Sequence, residues 1–265
     1  MPGAWLSADQ KDAFVRDGFM KVSGLVPPEI VSSTRAAVAT ELGIDDADPA
    51  TWAGKPTTAG DAWKVTLPCW TPAIEAAGRE LVGPHIASGP KISPYLEGIG
   101  ADPWIEGYIP VLRYPDGGEP VFGPVPTSYH VDGARFVTLW PEELYLVVFV
   151  YLVDVKDYGG ATVVLPGSHR QIFEHWVGHP EAAETKAPEL AYRDPLPVEG
   201  RAGDVIFMHY LCAHSSSANH DRNIRYGLNG SINVDREHPY KRRPGPPAAD
   251  WTPMDYTLRT DTLNG

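Results

Sequence analysis

Along the first third of the chain, apolar positions recur at helical spacing. Ser7-Ala8-Asp9-Gln10 has the pattern of a capping box and predicts a short helix that stops at Gly18. Phe19 to Val22 read as a strand. Pro28 suits the first position of a second helix, whose stripe of Ile30, Val31, Thr34, Ala37, Val38 and Leu42 ends at Gly43. Residues 45–60 are polar and hold Pro49 and Pro56, which predicts a loop. Trp63, Leu67 and Trp70 then surround Lys64, and a third helix is expected around Ile74 to Leu81. Gly83 to Gly100 is broken repeatedly by Gly and Pro.

Beyond that point the pattern is β. Tyr108 to Tyr114 is strand-like, with Pro110 suggesting an edge. Asp116-Gly117-Gly118 predicts a turn. Leu144 to Val155 is a long valine-rich run, as expected of a strand buried on both faces. Gly159-Gly160 turns the chain into a strand over Ala161 to Leu165, and Pro166-Gly167-Ser168 turns it again, with His169 at its end. A short helix is expected over Gln171 to Val177, and a polar, mobile excursion over Pro180 to Pro195. Gly200 to Gly203 predicts a hairpin or tight loop leading into a strand over Val205 to His209. Arg225 to Val234 make the last strand, and the proline-rich tail from His238 to Pro253 predicts no regular structure. Many short strands between turn signals predict an all-β core with flanking helices, a sandwich or barrel. The division is a single domain over 1–265: helices and loops over 1–104, the β core over 105–234, and an extension over 235–265.

Composition excludes several classes. The 265 residues suffice for one large core, and 43% hydrophobic with 21% charged residues is ordinary globular usage. A net charge of −12 disfavours nucleic acid and anionic membranes as partners. No apolar run reaches transmembrane length, and the first residues lack the pattern of a signal peptide. Cys69 and Cys212 alone make no disulfide framework, so a reducing cytoplasm is the expected compartment.

The chemistry centres on Thr127-Ser128-Tyr129-His130-Val131-Asp132-Gly133. In a strand, His130 and Asp132 share a face while Val131 turns away. An imidazole and a carboxylate there supply two-thirds of a 2-His-1-carboxylate triad, which suits Fe(II) because coordination positions stay open. A second histidine must come from later in the chain. His214, in Cys212-Ala213-His214-Ser215-Ser216, is the first choice and His209 its competitor. His85, His175, His179, His220 and His238 have no paired context.

The ordered segments around these residues resemble the phytanoyl-CoA dioxygenase family of Fe(II)/2-oxoglutarate oxygenases. They are Phe14-Val15-Arg16-Asp17-Gly18-Phe19, the His-x-Asp stretch, Gly159 to His169, Gly203 to His209, and His214 with Ser216, Asn219 and Arg225 after it. The resemblance is weakest over about residues 44–104 and after Val234. It implies a double-stranded β-helix, a cupin-like jelly roll, and selects His214 over His209 as the third ligand beside His130 and Asp132. It implies that Arg225 binds the far carboxylate of 2-oxoglutarate with help from Ser216, with Arg222 as the alternate and Phe149 near the cosubstrate. It implies a dioxygenase that hydroxylates or otherwise oxidises a small organic metabolite, consuming O2 and 2-oxoglutarate and releasing succinate and CO2. Asp132 argues against a halogenase, in which a small residue replaces the carboxylate.

The primary substrate is expected against the aromatic-rich segments Trp63 to Trp70 and Trp104 through Tyr108 to Tyr114. Trp63, Tyr108, Tyr129 and Phe136 would wall it, and Lys64 or Arg113 would meet a polar group. Two rivals remain: a non-catalytic jelly-roll binding protein, and a cupin-type metal-dependent isomerase or hydrolase. The first would show a degraded triad or lack the arginine. The second would be richer in histidine ligands and would need no arginine.

Overall fold

The computed structural model describes residues 4–83, 108–117, 128–132, 144–179, 182–233 and 252–257. Phe136 and Trp104, and most of the stretches 83–100 and 238–253, lie outside the described residues.

The N-terminal elements form as their caps dictate. Helix α1 (Ala8–Asp17) starts on a complete capping box between Ser7 and Gln10 and ends on a left-handed Gly18. Strand β1 (Phe19–Val22) follows. Helix α2 (Pro28–Leu42) has Pro28 in its first turn and a left-handed Gly43 at its end. The polar stretch after it includes a 3₁₀ turn at Pro49–Trp52, and the Trp63 region is a longer 3₁₀ segment, Gly60–Cys69. Helix α3 (Pro72–Val82) is capped by the Thr71 hydroxyl.

The strands β2 (Ile109–Arg113), β3 (Leu144–Tyr151), β4 (Thr162–Val164), β5 (Leu196–Val198), β6 (Val205–His209), β7 (His214–Ser216) and β8 (Arg225–Asn233) complete the core, with helix α4 (Ser168–Gly178) between β4 and β5. A last helix, α5 (Pro253–Thr257), reaches α1 and α3. One sheet has the order β1-β6-β3-β8-β2 and the other β5-β4-β7. Two facing antiparallel sheets with helices outside make a jelly-roll fold without closing into a barrel.

Alternation along β3 explains its apolar run. Val147, Phe149 and Tyr151 face the interior between the sheets, against Ile206, Met208, Val164 and Val198. Leu146, Val148 and Val150 belong to the larger core under the helices, with Phe14, Val31, Val38, Ile74 and Leu81. Strand β2 lies at the sheet edge, where Pro110 lacks no partner it needs.

Several expectations need correction. Helix α4 begins at Ser168, so His169 is a buried helical residue and not part of a rim turn; the turn ends at Gly167, which takes a left-handed conformation. Gly200 to Gly203 is a tight loop and not a hairpin, because β5 and β6 lie in different sheets. The described part of the 180–195 excursion is held by backbone pairing: Val131 donates to Thr185 O and Ala187 donates to Tyr129 O. Among the described residues, no helix is long and apolar enough to cross a membrane.

Candidate metal and cosubstrate site

Strand β7 and the His-x-Asp segment build the metal end. His130 and His214 exchange backbone hydrogen bonds of 3.0 and 2.9 Å in an antiparallel bridge, which sets their side chains on one face. Their rings lie 4.3 Å apart, centroid to centroid. The His214 Nδ1 is 2.9 Å from the Cys212 carbonyl. A carbonyl only accepts, so Nδ1 carries a proton and Nε2 is the ring nitrogen turned towards Asp132. That nitrogen is 3.7 Å from one Asp132 oxygen, and His130 Nε2 is 3.6 Å from the other. One ligand atom from each of the three residues lies within 4.8 Å of the others. Atoms held about 2.1 Å from one ion, at angles between right and tetrahedral, stand about 3.0–3.4 Å apart, so a small inward movement completes the site. The neighbouring His214, then burial, push His130 down to about 4, so its ring is neutral at physiological pH.

His209 is excluded by position. It is fully buried against His169 and Tyr210, its Nδ1 accepts from the Leu211 amide, and it takes no part in the triad.

The other end of the candidate site is built around Arg225 on β8. Arg225 is 1% exposed and has no acidic partner among the described residues. Its Nε donates to Gly160 O at 2.8 Å, one Nη to Val111 O at 2.9 Å and the other to the Ser216 hydroxyl at 3.1 Å. A guanidinium has five N–H groups, so one on each terminal nitrogen is left without a described partner. The cation also stands 5.3 Å from the Phe149 ring centroid. Burial, with help from Arg113, lowers the Arg225 pKa to about 10, which leaves it charged at neutral pH. The space around this guanidinium depends on Gly227, where a Cβ would fall 2.7 Å from an Arg225 Nη and closer still to the Phe149 ring. Arg222, the alternate, is exposed on the turn before β8.

A cavity of about 480 Å³ joins the two ends. His130, Asp132, His214, Ser216, Phe149 and Arg113 line it. Sequence reading missed other lining residues: Thr57 and Thr58 from the polar loop, Thr162 on β4, and Asn229 and Ser231 on β8. Thr57 and Thr58 reach it because their backbone pairs with β2, with Leu112 donating to Thr57 O at 2.7 Å. Asn229 was legible as a polar residue on the inward face of a strand, in register with Phe149 and Ile109.

The residues expected at the substrate divide. Arg113 lines the cavity. Tyr129 is half-buried beside the triad and packs on the helix-side core. Tyr108 is fully buried on the opposite face of the sheet, against Trp70 and Gly230. Trp63 and Lys64 sit on the 3₁₀ segment, with the Lys64 ammonium 5.7 Å from the Trp63 ring, and neither is among the described lining residues.

The comparisons agree with this architecture. Residues 112–227 match the family model described as Phytanoyl-CoA dioxygenase (PhyH). No curated protein sequence is significantly similar to the chain. Among solved structures, the non-heme α-ketoglutarate-dependent carbocyclase SnoK from nogalamycin biosynthesis superposes with a TM-score of 0.55 at 19% identity, over 89% of this chain and 87% of that one. EctD from S. alaskensis with bound Fe gives 0.54 at 18% identity, over 88% and 79%. The epimerase SnoN, in complex with Fe3+, α-ketoglutarate and nogalamycin RO, gives 0.51 at 19%, over 91% of each chain. At these identities the likeness is one of fold.

Proposed function

We propose that this chain, whose residues 112–227 match the Phytanoyl-CoA dioxygenase (PhyH) family model, is an Fe(II)/2-oxoglutarate-dependent oxygenase that oxidises a small organic metabolite. One observation carries the reading. Two imidazoles and a carboxylate, from His130, His214 and Asp132, line one cavity, and the buried Arg225 lies behind its wall, bonded to Ser216 and set against Phe149, which both line it. A metal-dependent isomerase or hydrolase has no use for the second feature, and a passive binding protein has no use for the first.

Each residue then has a task. His130, Asp132 and His214 hold Fe(II) on one side and leave its other positions to ligands. Arg225 and Ser216 fix the far carboxylate of 2-oxoglutarate, which directs its keto-acid end towards the triad. Phe149, Val111 and Ile109 supply an apolar wall that keeps water from the cosubstrate. When bound, the metal and cosubstrate supply the oxidising chemistry, with O2 consumed and succinate and CO2 released. The chain supplies position and exclusion of water. The cavity volume falls within the range of small-molecule sites, so cosubstrate and a metabolite of modest size share it. Tyr129 beside the triad, and Trp63 and Lys64 beyond the described lining, are the proposed contacts at its mouth.

The test is succinate formation from 2-oxoglutarate with iron and O2, measured against a panel of metabolites. A metabolite that stimulates succinate release, and is itself oxidised, supports the reading. Purified protein that binds neither Fe(II) nor 2-oxoglutarate refutes it.

A further inference from the structure

Arg113 and Arg225 are direct cross-strand partners on β2 and β8. Opposed residues on an antiparallel pair project to the same face, so both guanidinium groups belong to the cavity side of the sheet. We propose that Arg113 is the second arm of the cosubstrate anchor, closing with Arg225 on the far carboxylate of 2-oxoglutarate. This rests on the reading of the cavity as a 2-oxoglutarate site.

Three features carry it. The Arg113 side chain lines the cavity and makes no hydrogen bond or ion pair with any described residue. No described residue takes any of its five N–H groups, whereas Arg225 has spent three of its own on Gly160, Val111 and Ser216. Its position is also built. Asn219, fully buried, donates to the Arg113 carbonyl at 2.8 Å and is itself fixed by Asp116. Gly160 lies beside it in a left-handed conformation, where a Cβ would come within 2.9 Å of the Arg113 Cβ. The same glycine's carbonyl accepts from Arg225, so one residue makes room for one arginine and holds the other.

Charge supplies the third argument. Two guanidinium groups on adjacent strands repel, and among the described cavity residues the one carboxylate is Asp132, at the metal end. A carboxylate placed between the two guanidinium groups relieves their repulsion, and no described side chain of the cavity supplies one at that end. A carboxylate has about four acceptor positions, of which the Arg225 fork uses two, so the second guanidinium has acceptors on the same group. The sequence reading gave Arg113 to the primary substrate; its register with Arg225 is the reason to give it to the cosubstrate.

Titration calorimetry on the full chain loaded with manganese(II) tests this without turnover. The probes are 2-oxoglutarate and 2-oxovalerate, which keeps the keto-acid end and lacks the far carboxylate. R113Q should weaken 2-oxoglutarate by about tenfold and leave 2-oxovalerate within about twofold of wild type, with R113K recovering part of the loss. R113Q binding 2-oxoglutarate like wild type overturns the proposal and returns Arg113 to the substrate, while R225Q losing the same ligand would leave the site reading intact. Equal weakening of both probes by R113Q means a distorted cavity and also overturns it. Wild-type protein that fails to prefer 2-oxoglutarate over 2-oxovalerate overturns both this assignment and the reading beneath it.

Discussion

His130 and His214 bond to each other through both backbone amides, although 84 residues separate them in the chain. The bridge means that sheet pairing alone sets the two histidines side by side. It follows that removing one ligand should abolish the site without unfolding the protein. His214→Ala should lose stoichiometric Fe(II) binding in an anaerobic titration, and the melting temperature of the metal-free variant should stay near that of metal-free wild type. Undiminished iron binding would mean that another residue completes the site. A matching His209→Ala variant should keep its iron and pay in stability instead, since that ring is buried core.

On the proposed reading, Arg225→Ala removes a charge-assisted contact to the far carboxylate of 2-oxoglutarate in a buried setting. Affinity for 2-oxoglutarate should fall by about 2–3 kcal/mol, roughly 30- to 150-fold, with iron retained. Arg225→Lys should rescue little, because an ammonium cannot reproduce the fork or keep the bonds to Gly160, Val111 and Ser216 together. A change below about threefold in the alanine variant would dismiss Arg225 as the anchor.

Gly227→Ala tests the space around that fork. The added methyl collides with the Phe149 ring and an Arg225 Nη, both in the interior. Overpacking of this kind costs about 1–3 kcal/mol, and the displaced guanidinium should weaken 2-oxoglutarate as well. Phe149→Leu in the same chain removes the colliding ring atoms and should restore part of the stability, as seen in a urea midpoint.

How much of this was legible in the sequence depends on the range of the interactions. Local signals were reliable: the Ser7–Gln10 capping box, the Gly18 and Gly43 stops and Pro28 in a first turn are all decided within one helical turn. The apolar run of β3 also declared its double burial. Long-range pairing was not legible. Nothing in Thr57-Thr58 or in 185–187 marks them as partners of β2 and of the His130 segment, because a single backbone bridge needs no particular side chain. Tyr108 shows the same limit from the other side. An aromatic beside a strand reads alike whether it faces cavity or core, and register alone puts it against Gly230 on the helix side.

That placement is itself testable. The Tyr108 hydroxyl is buried and has no hydrogen-bond partner among the described residues. Tyr108→Phe should therefore be neutral or stabilising by about 1 kcal/mol, whereas Tyr108→Ala should cost about 3–5 kcal/mol. Both variants should bind iron and 2-oxoglutarate normally where they are folded. A phenylalanine variant that keeps its stability but loses substrate-stimulated succinate formation would put Tyr108 at the substrate after all.

Acid sensitivity should come from the paired rings of His169 and His209. Their centroids lie 5.2 Å apart, both residues are fully buried, and the missing side chain of Gly18 is what makes room for His169. Burial, then the neighbouring Arg170, hold His169 at about 3; burial, then His169, hold His209 well below its ordinary value. In the unfolded chain each titrates near about 6.5. Above that pH both are neutral in either state and stability is complete. As pH falls below it, the unfolded chain takes up protons that the folded one refuses, so stability drops, by about 2 kcal/mol per such histidine at pH ~5. Asp17, whose burial is outweighed by Arg16 and Arg193, has a lowered pKa and loses its contribution at more acidic pH still. His130, held down to about 4 in the folded chain, loses stability over the same interval, so wild type alone does not separate the contributions. The decisive comparison is the urea midpoint between pH ~7.5 and ~5 for wild type and for His169→Gln with His209→Gln. The double variant should lose markedly less stability across that interval, whatever its stability at neutral pH, and an unchanged slope would mean that this pair is not the acid-labile element.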